Sequence, residues 1–186
     1  MIFHETTVEG AVLVDLDPRG DERGFFARAW CQGEFGAQGL TSRLVQVNLS
    51  HSRDAGTLRG MHFQRAPHEE AKLVRCIRGA LFDVVADMRP GSPTEGRWYG
   101  TTLSAENRRM LYVPEGCAHG FLTLEDDTEA LYQVSEFYAP GAEGGFRWDD
   151  PAFAIRWPRT PVVMSEKDAA WAPLGTPAAL AGSVAR

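Results

Sequence analysis

The stretch Thr57-Leu-Arg-Gly-Met-His-Phe-Gln64 has the composition of a β-strand and carries two chemically active side chains, Arg59 and His62. Side chains alternate between the faces of a strand, so a regular strand would place Arg59 and His62 on opposite faces. Gly60 lies between them and predicts a β-bulge that brings both onto one face. A lone histidine in a strand is ordinarily a structural, hydrogen-bonded residue. Whether His62 also has a chemical role depends on the residues that the rest of the chain supplies.

Short β-rich segments lie on both sides of this stretch, separated by turn residues such as Pro18-Arg-Gly20 and Pro90-Gly-Ser-Pro93. This spacing is typical of an all-β sandwich or barrel. The predicted strands cover residues 11–16, 43–50, 57–63, 71–77, 80–86, 98–103, 110–113, 120–124 and 130–138. Short helical turns are predicted at 34–39 and 165–170, the second with Ser165 as its N-cap.

Alternation within these strands indicates which side chains share a face. Gln46 and Asn48 lie on one face of their strand, and the intervening Val47 lies on the other. Asp83 falls on the same face as Leu81, so we expect its carboxylate to be at least partly buried. A barrel can turn such polar side chains inward to line a cavity.

Composition limits the classes of function. The chain has 186 residues, enough for one domain, and its formal net charge of −6 disfavours a broad nucleic-acid surface. Its three cysteines have no C-x-x-C spacing, which predicts free thiols in a reducing compartment. The first residues lack the pattern of a signal peptide, and no apolar run is long enough to span a membrane. We therefore expect a cytoplasmic protein with no nucleic-acid or membrane partner.

A metal site is the first interpretation to weigh for the histidines. Pro114-Glu-Gly-Cys-Ala-His119 resembles the second motif of cupin proteins, but the His-x-His of the first motif is missing. The conceivable ligands are His62, His68, Glu69 or Glu70, and His119. Because Arg59 and Lys72 would place positive charges beside the metal, we predict that no metal is bound. His4, His51 and His68 are expected to be solvated.

The same region suits proton abstraction next to a carbonyl group. That reaction needs a base that titrates near neutral pH, as histidine ordinarily does, and a carboxylate that holds the imidazole in one tautomer. Lys72 or Arg59 would stabilise the enolate oxygen, and Tyr132 would return the proton on the other face. From spacing alone, packing of Tyr132 and Tyr138 in the core remains open.

An ordered set of motifs extends over residues 1–172. It comprises Arg23-Gly-Phe-Phe26, Gln46-Val-Asn48, Leu58-Arg-Gly-Met-His-Phe-Gln64, Ala71-Lys-Leu-Val-Arg75, Phe82-Asp-Val-Val-Ala-Asp87, Tyr112-Val-Pro-Glu-Gly-Cys-Ala-His-Gly-Phe121, Tyr132, Tyr138 and Ser165-Glu-Lys-Asp168. This set closely resembles the dTDP-4-dehydrorhamnose 3,5-epimerase family. The resemblance implies a single cupin-type β-barrel, or jelly roll, over residues 1–172, followed by a loosely ordered tail at 173–186.

The resemblance also implies an activity. Enzymes of this family act as homodimers without a metal or other cofactor, and their substrate class is a nucleoside-diphosphate 4-keto-6-deoxyhexose. By resemblance, His62 is the base, Asp168 its carboxylate partner, Tyr132 the acid on the opposite face, and Lys72 the group that stabilises the enolate.

Substrate contacts follow from the same resemblance. It implies that Asp83 orients His119, that Tyr138 stacks on the nucleobase, and that Arg23 reaches the nucleotide bound to the partner subunit. Further contacts are implied for Gln46, Asn48, Arg59, His119, Glu143 and Lys167. Arg28 replaces a glutamate that contacts the nucleotide in the family, which makes Arg28 a candidate determinant of nucleotide specificity.

Several activities are compatible with the sequence. The leading one is inversion of both C3 and C5 of the sugar, and the nearest alternative is inversion of C3 alone or C5 alone on a related, non-thymidine nucleotide sugar. A metal-dependent cupin enzyme and a non-catalytic sugar-binding cupin are the alternatives from other classes.

Overall fold

The structure, a computed structural model, describes residues 1–174. Within this range β-strands predominate, as the turn spacing predicted. The strands are β1 (Ile2–Glu5), β2 (Val12–Asp15), β3 (Arg19–Asp21), β4 (Gly24–Phe26), β5 (Gln46–Ser52), β6 (Thr57–Gln64), β7 (Lys72–Arg78), β8 (Ala80–Asp87), β9 (Trp98–Ser104), β10 (Met110–Val113), β11 (Cys117–Thr123), β12 (Thr128–Val134), β13 (Glu143–Gly145) and β14 (Val163–Met164). The helices are α1 (Gln32–Ala37), α2 (Glu166–Ala169) and a 3₁₀ turn at Pro140–Ala142.

Two large sheets form the body of the molecule. The first sheet has the strand order β1-β2-β10-β7-β12-β5, and the second has the order β13-β6-β11-β8-β9, with β14 added in parallel to β6. The hairpin of β3 and β4 stands apart from both sheets. This arrangement confirms the predicted all-β, cupin-type jelly roll with a few short helical turns.

The main hydrophobic core lies between the two sheets. Val74 and Leu111 contribute to it from the first sheet, and Leu81, Val85 and Phe121 contribute from the second. All five side chains are almost completely removed from solvent. Burial of apolar surface on this scale, at about 25 cal/mol per Å² of apolar area, is the main force that holds the sheets together.

At the β5 edge of the first sheet, the side chains that point between the two sheets are polar rather than apolar. Gln46 and Asn48 of β5 point between the sheets, whereas Val47 and Leu49 point outward and are 62% and 61% exposed. The predicted alternation is therefore present, with the apolar face outside. This inversion leaves a polar-lined space between the sheets, and the candidate site lies there.

The bulge predicted at Gly60 is confirmed. Opposite β6, His119 pairs with His62 and Phe121 pairs with Arg59, so two residues of β6 face the single Gly120 of β11. Gly60 has a φ of +146°, and a Cβ added there would lie 2.6 Å from the Cα of Gly120. Only glycine fits this position without displacing backbone. The extra residue puts Arg59 and His62 on the same face.

Three predicted strand boundaries were wrong by three residues or more, and the first is the start of β5, which lies at Gln46 rather than at residue 43. β11 begins at Cys117 rather than at residue 120, because its pairing with β8 continues back to Asp87. β12 ends at Val134 rather than at residue 138, because its neighbours β5 and β7 both begin opposite Val134. His119 therefore lies inside a strand, whereas Tyr138 lies beyond one.

The predicted tail falls largely outside the described residues, which end at 174. Of its first residues, Leu174 donates its backbone N–H to Asp150 at 2.5 Å. In the part of the chain that the structure describes, no helix combines the length and the apolar character needed to cross a lipid bilayer.

Candidate active site

His62 and Asp168 form a close pair between β6 and α2. Nε2 of His62 lies 2.6 Å from Oδ1 of Asp168, and the other carboxylate oxygen accepts the Gly60 N–H at 3.4 Å. Burial opposes ionisation of Asp168, but its contact with His62 holds its pKa below the usual value. The ionised carboxylate accepts a hydrogen bond from the Nε2–H of His62, so Nδ1 keeps the lone pair that a base requires.

Helix α2 carries Asp168 and directs its carboxylate towards His62. Ser165 caps the helix as predicted, its Oγ accepting the backbone N–H of Asp168 at 3.0 Å. The cap fixes the backbone of a four-residue helix that would be unstable by itself. Asp168 is consequently buried, while Lys167 beside it remains at the surface.

A second histidine–carboxylate pair lies next to the first. His119 of β11 is the strand partner of His62, and its Nε2 lies 2.8 Å from Oδ1 of Asp83 on β8. Asp83 is fully buried, which confirms the prediction from alternation, and its Oδ2 has no hydrogen-bond partner among the described residues. The pair fixes the orientation of the His119 ring.

The opposite wall belongs to the first sheet and carries Lys72 and Tyr132. Nζ of Lys72 lies 3.1 Å from Oε1 of Glu70, and both side chains are largely buried. The Tyr132 hydroxyl has no hydrogen-bond partner in the described part of the chain. Burial raises the pKa of Tyr132, the negative charge of Glu70 raises it further, and the positive charge of Arg59 lowers it in part.

Between these walls lie two adjoining cavities of about 280 and 330 Å³. His62, Lys72 and Tyr132 line both of them, so the two cavities meet at these three side chains. The first is completed by Ser50, Arg59, His119, Phe121, Ser165, Lys167 and Asp168. The second is completed by Gln46, Asn48, Phe63, Gln64, Glu70, Val134, Tyr138 and Glu143. A ligand that spans both would pass between a base on one sheet and a phenol on the other.

A polar network lies at the mouth of the cavities. Glu143 forms an ion pair with Lys167 and accepts a hydrogen bond from the Tyr138 hydroxyl at 3.0 Å. The backbone N–H of Tyr138 donates to Oε1 of Gln46 at 2.8 Å. Tyr138 is thus held over the opening by contacts at both ends, although it lies outside β12.

Comparison with known proteins identifies the family. The sequence profile described as dTDP-4-dehydrorhamnose 3,5-epimerase matches residues 5–175. The chain belongs to this family. The curated dTDP-4-dehydrorhamnose 3,5-epimerase of Methanothermobacter thermautotrophicus is 45% identical over 175 residues, which cover 92% of this chain and 94% of that protein.

Two other relatives bear on the chemistry. A curated dTDP-4-dehydrorhamnose 3-epimerase of Streptomyces niveus is 42% identical over 162 residues, covering 87% of this chain and 78% of that protein. The crystal structure of the dTDP-6-deoxy-D-glucose-3,5-epimerase of Legionella pneumophila in complex with dTDP-4-keto-L-rhamnose is 38% identical, with a TM-score of 0.86. That match covers 93% of this chain and 92% of the other.

Most residues that the family resemblance singled out lie together in this epimerase fold. Lining the two cavities are His62, Lys72, Tyr132, Asp168, Gln46, Asn48, Arg59, His119, Tyr138, Glu143 and Lys167, with Asp83 directly behind His119. Arg59 is held by the hydroxyl of Ser52 at 3.2 Å and the carbonyl of His51 at 2.9 Å. The bulge and the two-sheet arrangement account for this convergence.

Arg23 and Arg28 do not line these cavities. Arg23 lies in the exposed hairpin and pairs with Asp21 at 2.5 Å, and Arg28 pairs with Glu34 at 3.1 Å beside a separate cavity. The contact of Arg23 with a nucleotide held by a second subunit and the role of Arg28 in nucleotide specificity remain predictions.

The conceivable metal ligands do not form a metal site in the described chain. His68 is exposed, and no group of three or more His, Cys, Asp and Glu side chains among residues 1–174 is arranged to hold an ion. His62 and His119 each face a carboxylate instead.

Sequence reasoning named Glu70 as a conceivable metal ligand but not as the partner of Lys72, and it missed Trp171. Glu70 lies two positions before Lys72, so alternation at the start of β7 would have placed both on one face. Trp171 lies edge-on to the His62 ring, with centroids 6.3 Å apart. No spacing signal points to Trp171, because it follows α2 in an irregular segment.

Proposed function

We propose that this chain inverts C3 and C5 of a dTDP-4-keto-6-deoxyhexose, converting dTDP-4-keto-6-deoxyglucose into dTDP-4-dehydrorhamnose. The observation that carries the proposal is the placement of the His62–Asp168 pair and the Tyr132 phenol on opposite sheets around one cavity. Inversion requires removal of a proton from one side of a carbon and its return from the other side. A base and an acid on opposing walls meet that requirement.

Each inversion follows the same course. Nδ1 of His62 takes the proton from the carbon next to the C4 ketone, and the electron pair of that C–H bond moves to the carbonyl oxygen. The Lys72 ammonium stabilises the resulting enolate. The Tyr132 phenol then gives its proton to the other face of the carbon, and solvent returns a proton to the phenolate while the imidazolium releases one. C3 and C5 flank the same ketone, so one pair of groups serves both centres if the sugar shifts between steps.

The remaining cavity residues recognise the rest of the substrate. Arg59, His119 and Lys167 supply donors for the diphosphate and the sugar, and Gln46, Asn48 and Glu143 offer further hydrogen bonds. Tyr138 provides an aromatic face at the opening of the cavity, on which the nucleobase can stack. No step in this account uses a metal or another cofactor.

We also propose that the enzyme is a homodimer in which Arg23 and Arg28 approach the nucleotide in the partner's cavity. The exposed hairpin of β3 and β4 and the outward apolar side chains of β5 support this arrangement. Arg28 would then decide between nucleotides, because it offers a positive charge where the family has a glutamate.

The deciding experiment is NMR in deuterated water with dTDP-4-keto-6-deoxyglucose, with deuterium scored at C3 and C5. Deuterium at both positions, with formation of the rhamno product, is expected. Absence of exchange at either carbon would contradict the proposal. A parallel run with the uridine analogue tests Arg28, and Arg28→Glu is expected to increase the preference for the thymidine nucleotide.

One alternative has a specific observation in its favour. The relative from Streptomyces niveus is described as a 3-epimerase at 42% identity, close to the 45% of a 3,5-epimerase. Overall similarity therefore does not separate the two activities. The same NMR experiment does, since a 3-epimerase would place deuterium at C3 and leave C5 unlabelled.

A further inference from the structure

Glu70 and Lys72 form an ion pair that is buried within the cavity wall. Their side chains are 12% and 10% exposed, and Oε1 of Glu70 lies 3.1 Å from Nζ of Lys72. Removing two charges from water costs several kcal/mol for each ion, so a buried pair contributes little to stability compared with an apolar pair. Stabilisation of the fold therefore does not explain this pair. An effect of the two charges on the other groups in the cavity explains it better.

Several charged and titratable groups lie around Tyr132, and most of them are already paired. The groups that face this part of the cavity are Arg59 and His62 on β6, His119 on β11 with Asp83 behind it, Lys167 and Asp168 on α2, Tyr138 and Glu143 near β13, and Lys72 on β7 with Glu70 just before it. Asp168 is engaged with His62, and Glu143 with Lys167. Among the described residues, Glu70 is thus the carboxylate left to balance Lys72.

Cations close to a phenol favour the phenolate, and an anion favours the phenol. Arg59 and Lys72 line the same cavity as Tyr132, and the positive charge of Arg59 lowers the Tyr132 pKa against the raising effects of burial and of Glu70. A tyrosine that has lost its proton cannot act as the acid of an inversion. The carboxylate of Glu70 opposes this loss, and it also fixes Lys72 at one place in the wall.

We infer that Glu70 is a positioning residue that anchors the Lys72 ammonium and that, together with burial, favours the phenol form of Tyr132, which can donate a proton. This role rests on the proposed function, in which Tyr132 returns the proton and Lys72 stabilises the enolate. Glu70 itself does not exchange a proton with the substrate. The substitution Glu70→Gln removes its charge while keeping its size.

The first test reads the ionisation of Tyr132 and is independent of epimerase activity. The full-length protein is labelled with [ζ-¹³C]tyrosine, and the Tyr132 signal among the four tyrosines is assigned by its loss in Tyr132→Phe. In Glu70→Gln the titration midpoint of this signal is expected to fall by about one pH unit. An unchanged midpoint would overturn the inference.

Two further variants separate charge from packing. Glu70→Asp keeps the carboxylate and is expected to keep the midpoint near that of the unaltered protein, which would exclude a general effect of disturbing this wall. Glu69→Gln is the matched control, because the neighbouring Glu69 side chain makes no hydrogen bond or ion pair with the described residues. It is expected to leave the Tyr132 midpoint unchanged.

The second test follows inversion as a function of pH. In Glu70→Gln the alkaline limb of kcat is expected to move to lower pH with the tyrosine midpoint, and deuterium exchange at neutral pH is expected to slow, because Lys72 loses the carboxylate that anchors it beside the enolate. An unshifted limb would show that Glu70 does not act through Tyr132, and unchanged exchange would show that it does not position Lys72. If the unaltered protein gives no exchange, the proposed function fails, and the tyrosine titration still decides what Glu70 does to Tyr132.

Discussion

At the scale of the single residue, Asp168 determines the tautomer of the His62 ring. It accepts a hydrogen bond from Nε2 of His62 at 2.6 Å, and in the proposed mechanism its negative charge stabilises the imidazolium that forms when His62 takes a proton from the substrate. Asp168→Asn keeps the shape but removes the charge and alters the preferred tautomer. We expect kcat to fall by a factor on the order of 10³, measured as the rate of deuterium exchange at C3 and C5.

The control for this prediction is Asp149→Asn. Asp149 is a surface residue that pairs with Arg147, away from both cavities, so exchange should be unaffected by its substitution. Near-normal exchange in Asp168→Asn would contradict the assignment of the pair.

Tyr132 allows the two half-steps of inversion to be separated. In the proposed mechanism its phenol returns the proton but does not remove it, because removal depends on His62. Tyr132→Phe should therefore slow net inversion, by a factor on the order of 10² or more, while slowing exchange much less. Both rates come from one NMR time course in deuterated water.

The matched control for Tyr132 is Tyr99→Phe, since Tyr99 packs against the core and does not line the cavities. Equal losses of exchange and inversion in Tyr132→Phe would argue against Tyr132 as the proton donor.

At the scale of the element, the β6 bulge is what brings Arg59 and His62 together. Gly60→Ala would place a Cβ 2.6 Å from the Gly120 backbone at a φ of +146°. We expect the free energy of unfolding to fall by about 3 kcal/mol, together with a loss of exchange activity as the strand shifts. Urea denaturation and the NMR assay measure the two effects.

Gly33→Ala in α1 is the control, because the nearest atom to the added Cβ is 4.0 Å away. That variant should be as stable as the unaltered protein or more so, since alanine favours helix. An equally stable and active Gly60→Ala would show that the bulge is not needed.

The connection between β8 and β9 is organised by one buried carboxylate. Asp87 accepts hydrogen bonds from Arg89, Ser92 and Thr94 at 2.6 to 3.0 Å. Burial alone would raise its pKa, but these donors hold the pKa well below the ordinary value. Asp87→Asn should lower the free energy of unfolding at pH 7 by about 3 kcal/mol, as measured in urea.

The pH dependence of this effect has a definite sign. A carboxyl whose pKa is lower in the folded chain stabilises the fold above its ordinary value of 3.8, and that contribution is lost as the pH falls further. The difference between Asp87→Asn and the unaltered protein should therefore shrink in acid. Asp21→Asn, which alters an exposed pair, should show no measurable change at either pH.

Strand identity was predictable at this scale, but strand ends were not. Alternation and turn residues marked β6 to β8 closely, because each is bounded by turn residues and has a regular pattern between. The end of β12 depends on where β5 and β7 begin, which is a property of the assembled sheet. The pairing of β1 with β2 is likewise tertiary, since Ile2–Glu5 carries little apolar pattern of its own.

At the scale of the whole molecule, the site is made by folding and not by local sequence. His62 and Asp168 are 106 residues apart in the chain and meet only because α2 packs against β6. Spacing could nominate a histidine and a tyrosine, but it could not place them on opposite sheets. The family resemblance supplied that pairing, and it gave no indication of Glu70, whose importance follows from the charges that surround it.

The outer face of the first sheet carries the last prediction. Val47 and Leu49 are more than half exposed on β5, an edge strand whose outer hydrogen-bonding groups can accept another chain. If the homodimer uses this face, light scattering should give twice the 20.5 kDa mass of one chain, and the double variant Val47→Glu, Leu49→Glu should give a monomer. Exchange activity should fall with the dimer, because Arg23 and Arg28 would leave the partner's cavity. Val162→Glu alters a valine that is 73% exposed and lies just before β14, outside the first sheet, and it should leave the dimer intact. A double variant that remains dimeric would show that the two subunits meet elsewhere.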